Sequence, residues 1–220
     1  PQLREVRHPR QPVLPSFTKR TSRDWCSASY PMVATAIMKE KCSIKLPDMD
    51  INDFMGERHY VDWINEMGGH VEVLDGGKEG IIVRAAMTFT ALKSTAATPP
   101  MPYPPGGSGV LCQGKMKLYN IAASRMKETD RSKTIAQELR KMGAHIDEEE
   151  DSLTIYHSPL HGATIDGHND HRIVMATTCA ALGAEGPSLI DSVDHVGVSF
   201  PRFYEEMKGI GADIIRLAEK

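Results

Sequence analysis

Three times along the chain, an amphipathic stretch closes on the same punctuation. Glu66-Met67-Gly68-Gly69-His70-Val71 recurs as Lys141-Met142-Gly143-Ala144-His145-Ile146, and more loosely as Gly209-Ile210-Gly211-Ala212-Asp213-Ile214. The copies stand roughly 70 residues apart, a spacing that suggests a repeated supersecondary unit. Ahead of each glycine, apolar residues fall at helical spacing: Tyr60, Ile64 and Met67; Ile135, Leu139 and Met142; Phe203, Met207 and Ile210. A glycine directly after such a face suits a left-handed helix C-cap. Short β-type runs follow at Val71–Leu74, His145–Asp147 and Asp213–Arg216, and Ser152–Tyr156 gives a further strand through a turn. The unit therefore reads as strand, helix, strand, helix, strand, strand, used three times. Helices alternating with strands predict a layered α/β domain.

Two further helices follow from capping and packing signals. Asp24 or Ser27 can cap a helix that turns Tyr30, Val33, Ala34 and Ile37 inward. In the last helix, Phe203, Tyr204 and Met207 are core candidates and Arg202 faces solvent. Residues 1–22 are rich in Pro, Arg and Lys without periodicity and read as a linker or irregular arm. The domain is expected over 23–220, with an irregular stretch at 84–113. Thr98-Pro99-Pro100-Met101-Pro102-Tyr103-Pro104-Pro105-Gly106-Gly107-Ser108-Gly109 cannot be a regular helix. It reads either as a surface loop or as a frameshift product, since a neighbouring frame of its codons can spell Pro-Asp-Ala-Leu-Pro.

Composition narrows the function classes. The 220 residues can bury a sizeable core, and 40% hydrophobic with 25% charged residues is ordinary for a soluble globule. A net charge of -3 argues against a general nucleic-acid binder. No apolar run approaches the roughly 18 residues of a membrane helix, and no signal peptide is visible. Cys26, Cys42, Cys112 and Cys179 are scattered, with no Cys-x-x-Cys pair. Reduced thiols and a cytoplasmic location are the expectation.

Against this modest background, Lys127-Glu128-Thr129-Asp130-Arg131 and Asp170-His171-Arg172 stand out. Arginine offers a rigid donor fork for phosphate or carboxylate, and lysine adds a mobile point charge. Glu128 beside them could move protons. A charged first helical turn, capped by Thr129 or Asp130, would look the same. A helix N-terminus would itself favour a bound anion. His168-x-x-His171 has metal-ligand spacing, but no further ligands stand out, and Gly167 and Asn169 point to a turn.

These residues also carry a resemblance. Asn120 to Arg131 resembles the N-I-x-x-x-R-x-K-E-T-D-R signature of the 5-enolpyruvylshikimate-3-phosphate (EPSP) synthase family. Asn169-Asp170-His171-Arg172-Ile173-Val174-Met175-Ala176 resembles its N-D-H-R-I-x-M-A, Ser199 to Tyr204 its S-F-P-x-F-x, and Asp24 to Tyr30 its D-x-S-S-A-S-Y. The blocks occur in family order and cover what resembles the C-terminal half. The resemblance implies an EPSP-synthase-like α/β domain of three βαβαββ repeats, half of an inside-out α/β barrel, with helices flanked by mixed sheets. It implies transfer of the enolpyruvyl group from phosphoenolpyruvate to the 5-hydroxyl of shikimate 3-phosphate, in aromatic amino-acid biosynthesis. The active site would form in a cleft with the N-terminal half as partner. Neither metal nor organic cofactor is implied. Lys127 would contact shikimate 3-phosphate, and Glu128 would act as acid/base. Arg131 and Arg172 would hold phosphoenolpyruvate, and His171 would be structural. The alternatives are a related UDP-N-acetylglucosamine enolpyruvyl transferase and a non-catalytic anion-binding or structural remnant.

The chain departs from the family pattern at four places. The family's catalytic Asp is absent from 84–113. Val198 stands for the usual Lys before S-F-P, Ala123 for an Asn, and Met55-Gly56-Glu57 for Gln-Gly-Asp.

Overall fold

The computed structural model describes residues 23–38, 41–86, 90, 95–96 and 113–217. The expected arm over 1–22 and the proline-rich segment at 98–109 lie outside the described residues. Helix α1 (Trp25–Ala36) opens the described chain, capped by the Asp24 carboxylate, which accepts from the Cys26 and Ser27 amides. The first unit then runs β1 (Ser43–Leu46), α2 (Tyr60–Glu66), β2 (His70–Leu74) and β3 (Gly80–Arg84). Strand β3 lies between β1 and β2, antiparallel to both.

The second unit repeats this wiring. After β4 (Thr95–Ala96) come β5 (Lys115–Tyr119), α3 (Arg131–Lys141), β6 (His145–Glu148) and β7 (Ser152–Tyr156). Strand β7 lies between β5 and β6, again antiparallel to both, and β4 joins β5 in parallel. The registers place Ile44, Val83 and Val71 across one sheet and Met116, Ile155 and Ile146 across the other. Of the stretch 84–113, expected to be irregular, the described residues show only a pairing at 95–96 and a bridge from Thr90 to Gln113, and most of the remainder lies outside the described residues. Backbone hydrogen bonds to a strand edge need no hydrophobic alternation, so the pattern alone did not reveal them.

The third unit starts alike, with β8 (Thr164–Ile165), α4 (His171–Leu182), β9 (Leu189–Ile190) and α5 (Phe203–Gly209), β8 running parallel to β9. It ends differently. Asp213–Arg216, expected as a strand, is in no ladder. In the first two units the strand after the helix is held by the returning strand of its hairpin. Among the described residues, no such strand stands beside 213–216, and a lone extended segment has nothing to pair with.

The three helix ends behave as their glycines predict. Gly68, Gly143 and Gly211 have φ of 89°, 96° and 102°. The next amide, of Gly69, Ala144 or Ala212, donates back to Ile64, Leu139 or Met207 at 2.8, 3.0 and 3.0 Å. One cap geometry thus launches all three following segments.

Helices α1 and α4 fill the middle. Both are apolar nearly all round, as a helix buried on several sides must be. Trp25, Met32, Val33 and Ala36 of α1, with Ile173, Ala176 and Ala180 of α4, join the core under the first two sheets. Tyr30 and Ala34 of α1, with Val174, Met175 and Cys179 of α4, join a second core with Phe203 and Met207 of α5.

Gly80 shows how tightly the first hairpin closes. Its φ is +92°, and a Cβ there would sit 2.0 Å from the Leu46 carbonyl oxygen. Gly80→Ala should lower unfolding free energy by about 1–3 kcal/mol, the scale of local backbone strain. Gly197→Ala, where a Cβ meets nothing within 4 Å, should change it by less than about 0.5 kcal/mol. Urea unfolding of both variants checks the contrast.

Candidate anion-binding site

Two helix N-termini meet around one buried carboxylate. Asp130 caps α3, its Oδ1 accepting from the Lys133 amide at 3.0 Å. Asp170 caps α4, its Oδ1 accepting from the Arg172 amide at 2.9 Å. Asp170 is fully buried. Arg131, the first residue of α3, reaches it with Nε at 2.8 Å and Nη2 at 3.1 Å, and Thr129 Oγ1 donates to it at 3.0 Å. Burial alone would raise the Asp170 pKa. The Arg131 guanidinium, the Arg172 amide and the Thr129 hydroxyl outweigh it and hold the carboxyl below its usual range.

Arg131 is itself only 4% exposed, and its Nη2 also reaches Glu128. Its Nη1 makes no hydrogen bond among the described residues. Arg172, the second residue of α4, is partly buried and makes no side-chain hydrogen bond or ion pair among the described residues. Burial works against its charge. Cys26, Tyr30, Glu57 and Tyr60 face it and keep its pKa raised. Glu57, 4% exposed, is the carboxylate in that group. Burial pushes the Cys26 thiol up to about 11, with Arg172 pulling the other way. That thiol is protonated at neutral pH and is no ready nucleophile.

Around this centre stand two supports. Arg125 ties the start of α3 to the β6–β7 hairpin. Its Nη1 pairs with Asp130 at 3.0 Å and Glu148 at 2.9 Å, and its other nitrogens donate to the Glu149 and Glu150 carbonyls. Further along α3, buried Glu138 holds the turn before α4. It accepts from His168 Nε2 at 3.0 Å, Lys141 Nζ at 2.7 Å and the Asp166 amide at 2.9 Å. Those donors hold the Glu138 carboxyl low against its burial.

The expected residues therefore divide. Arg131 pairs with both Glu128 and Asp170, and the Arg172 amide donates to the same Asp170 carboxylate, which ties the starts of α3 and α4 together next to His171. Burial pushes that imidazole below its usual range, while Asp170 opposes. Lys127 is exposed and makes no ion pair among the described residues. Asp130 is the α3 cap, and residues 168–169 form a turn with positive φ at both positions. His168 is engaged with Glu138, and among the described residues no three His, Cys, Asp or Glu side chains gather as a metal site. Sequence reasoning missed Asp170 as the hub, Glu57 facing Arg172, and the Glu138 support. An Asp directly ahead of an apolar helical run was the available signal for the first. For Glu57 the signal was its place in Met55-Gly56-Glu57, where the family pattern carries an Asp; Glu138 gave none.

The sequence model of the family described as EPSP synthase (3-phosphoshikimate 1-carboxyvinyltransferase) matches residues 5–207. A protein of Acetivibrio thermocellus named 3-phosphoshikimate 1-carboxyvinyltransferase is 35% identical over 191 residues, 87% of this chain and 44% of that protein. A protein of the same name from Methanococcoides burtonii is 36% identical over 203 residues, again 87% and 44%. The solved EPSP synthase of Acinetobacter baumannii superposes with a TM-score of 0.68 at 26% identity, over 84% of this chain and 45% of that one. The chain thus spans about half the length of the curated relatives it matches. Among the described residues, no helix is long and apolar enough to cross a membrane.

Removing the buried carboxylate tests the centre. Asp170→Asn should cost about 3–5 kcal/mol at pH 7, because it leaves the Arg131 charge buried without its counter-ion. The Asp170 pKa is depressed in the folded state. Its contribution is therefore present above the unfolded value, about 3.9, and is lost as pH falls through the lower folded value. Urea unfolding should show the gap between wild type and Asp170→Asn narrowing progressively below about pH 4.

Proposed function

Because the chain belongs to the EPSP synthase family, we propose that it forms the C-terminal half of a 3-phosphoshikimate 1-carboxyvinyltransferase. The proposed reaction joins the 5-hydroxyl oxygen of shikimate 3-phosphate to C2 of phosphoenolpyruvate. The hydroxyl proton leaves and the methylene carbon gains a proton, giving a tetrahedral intermediate. Loss of that added proton and departure of phosphate then restore the enol double bond on the product. The whole serves aromatic amino-acid biosynthesis. Substrates this highly charged suit an enzyme of the cytoplasm.

One observation carries the reading. Arg172 is a partly buried guanidinium that makes no side-chain hydrogen bond or ion pair among the described residues, set in the first turn of α4. A partly desolvated guanidinium whose donors make no hydrogen bond is costly, and a bound anion would relieve that cost. The helix N-terminus adds amide dipoles of the same sign. In this reading Arg172 and Arg131 Nη1 hold phosphoenolpyruvate, Lys127 meets the shikimate phosphate, and Glu128 carries the proton. Glu128 suits that role because Arg131 fixes its orientation while its side chain stays half exposed. The N-terminal half supplies the other wall of the cleft and excludes water when it closes.

A second reading, an anion-binding remnant without catalysis, draws on Val198. It is 79% exposed where the family pattern has a lysine. The two readings part in measurement. Arg172→Ala should weaken phosphoenolpyruvate or inorganic phosphate binding by about 1.5–3 kcal/mol in calorimetry, the scale of a charge-assisted contact. Mixed with an N-terminal half, the wild-type chain should turn over. Glu128→Gln should then keep binding and lose turnover. Binding without turnover in the wild-type mixture supports the remnant reading, and no anion binding at all overturns both.

A further inference from the structure

Asp170 and Arg172 are delivered by a strained turn. His168 and Asn169 have φ of +51° and +54°, two left-handed residues in succession, neither of them glycine. A residue with a Cβ adopts that conformation at a cost, and only where its surroundings hold it there. The turn is also tightly packed. A Cβ on Gly167 would come within 2.5 Å of Val174 Cγ2 in α4 and 2.6 Å of the Asp191 carbonyl oxygen. The backbone leading into Asp170 therefore bears directly on α4. Any relaxation at 168–169 would pass to the helix start that carries Arg172.

Carboxylates hold the turn in place. The Gly167 amide donates to Asp191 Oδ1 at 2.8 Å, and the His168 amide to Asp166 Oδ1 at 2.7 Å. Asp166 and Asp191 are both exposed, so water can stand in for either acceptor. Glu138 is different, because its side chain is only 2% exposed. One of its oxygens takes the Asp166 amide at the entrance of the turn, and the other takes Nε2 of His168, the first left-handed residue. Lys141 supplies the counter-charge. Glu138 stands seven residues after Arg131, which is two helical turns along one face of α3. That single face grips the segment at both ends, Glu138 at Asp166 and His168, Arg131 at Asp170.

We propose that Glu138 is a positioning residue for the anion held by Arg172: by gripping Asp166 and His168 it keeps residues 168–169 left-handed, and so sets how the Arg172 guanidinium meets its anion. The inference rests on the reading of Arg172 as an anion ligand. Glu138 makes no hydrogen bond or ion pair with Arg172 and acts through the turn alone. The role needs an ionised carboxylate, which only accepts. An amide in its place would aim a donor at one of the turn's own donors.

Glu138→Gln keeps the shape and removes that match. Binding of inorganic phosphate to the chain is measured by calorimetry at a temperature where circular dichroism shows each variant folded. Glu138→Gln should weaken it about tenfold, as a displaced ligand group does. Amide hydrogen exchange should quicken about tenfold or more between Asp166 and Asp170, and not in β3 or β7. Two rescues separate positioning from a plain loss of stability. Asn169→Gly makes a left-handed residue cheap, so adding it to Glu138→Gln should return phosphate affinity to within about threefold of wild type, with the Glu138 contacts still absent. His168→Ala should weaken binding about threefold or more, whereas His168→Gln, whose amide can still donate to Glu138, should not. The His168 side chain is partly exposed, and this pair decides the matter if Glu138→Gln does not fold. Undiminished phosphate binding in Glu138→Gln overturns the inference and leaves the anion reading standing. So does weakened binding that Asn169→Gly fails to restore, or equal binding by the two His168 variants. No phosphate binding by the wild type overturns the anion reading itself, and the inference falls with it.

Discussion

The Asp170–Arg131 ion pair is the constraint on which the rest of the site depends. It joins the first residue of α3 to the cap of α4, two elements 39 positions apart in sequence. Neither charge could be buried alone, because an unpaired buried ion costs several kcal/mol. Together they satisfy each other, and Thr129 and the Arg172 amide take up the carboxylate's remaining capacity. The pair does more than stabilise. By fixing both helix starts it fixes where Arg172 and Glu128 stand, since each is within three residues of one member.

Two arginines of similar sequence setting thereby have different work. Arg131 has most of its donors committed inside the protein, whereas Arg172 has none committed among the described residues. No pattern in the chain distinguishes them. Both lie in the first turn of a helix, one and two residues after the capping Asp. What separates them is which carboxylate the fold brings near, and that is a long-range fact. The clustering of charge at 127–131 and 170–172 was legible, because it departs from the surrounding composition. The identity of the anchor was not, and neither was the role of Glu138, which looks like any exposed helix glutamate until the 166–168 turn folds over it.

The fold was more legible than the site. Tyr60, Ile64 and Met67, and their counterparts, bury one helix face because their spacing leaves no other choice. The capping glycines follow from the same local rule. Where the reading failed, at Asp213–Arg216, local propensity was right and the neighbour was wanting. Strand formation is a pairwise property, so a segment with two adjacent Ile residues stays outside any ladder until something lies beside it. Short pairings such as β4 escaped notice for the opposite reason, since two residues suffice for a bridge but not for a pattern.

Helices α1 and α4 each contribute side chains to both hydrophobic cores. Shearing one core against the other would have to pull apart contacts along two helices at once. Among the described residues there is no seam between the two cores at which one could melt while the other keeps its packing. Its described body should therefore lose structure in a single all-or-none transition, with no half-folded species in between. A substitution in either core then affects the anion site only through the folded fraction of the whole body.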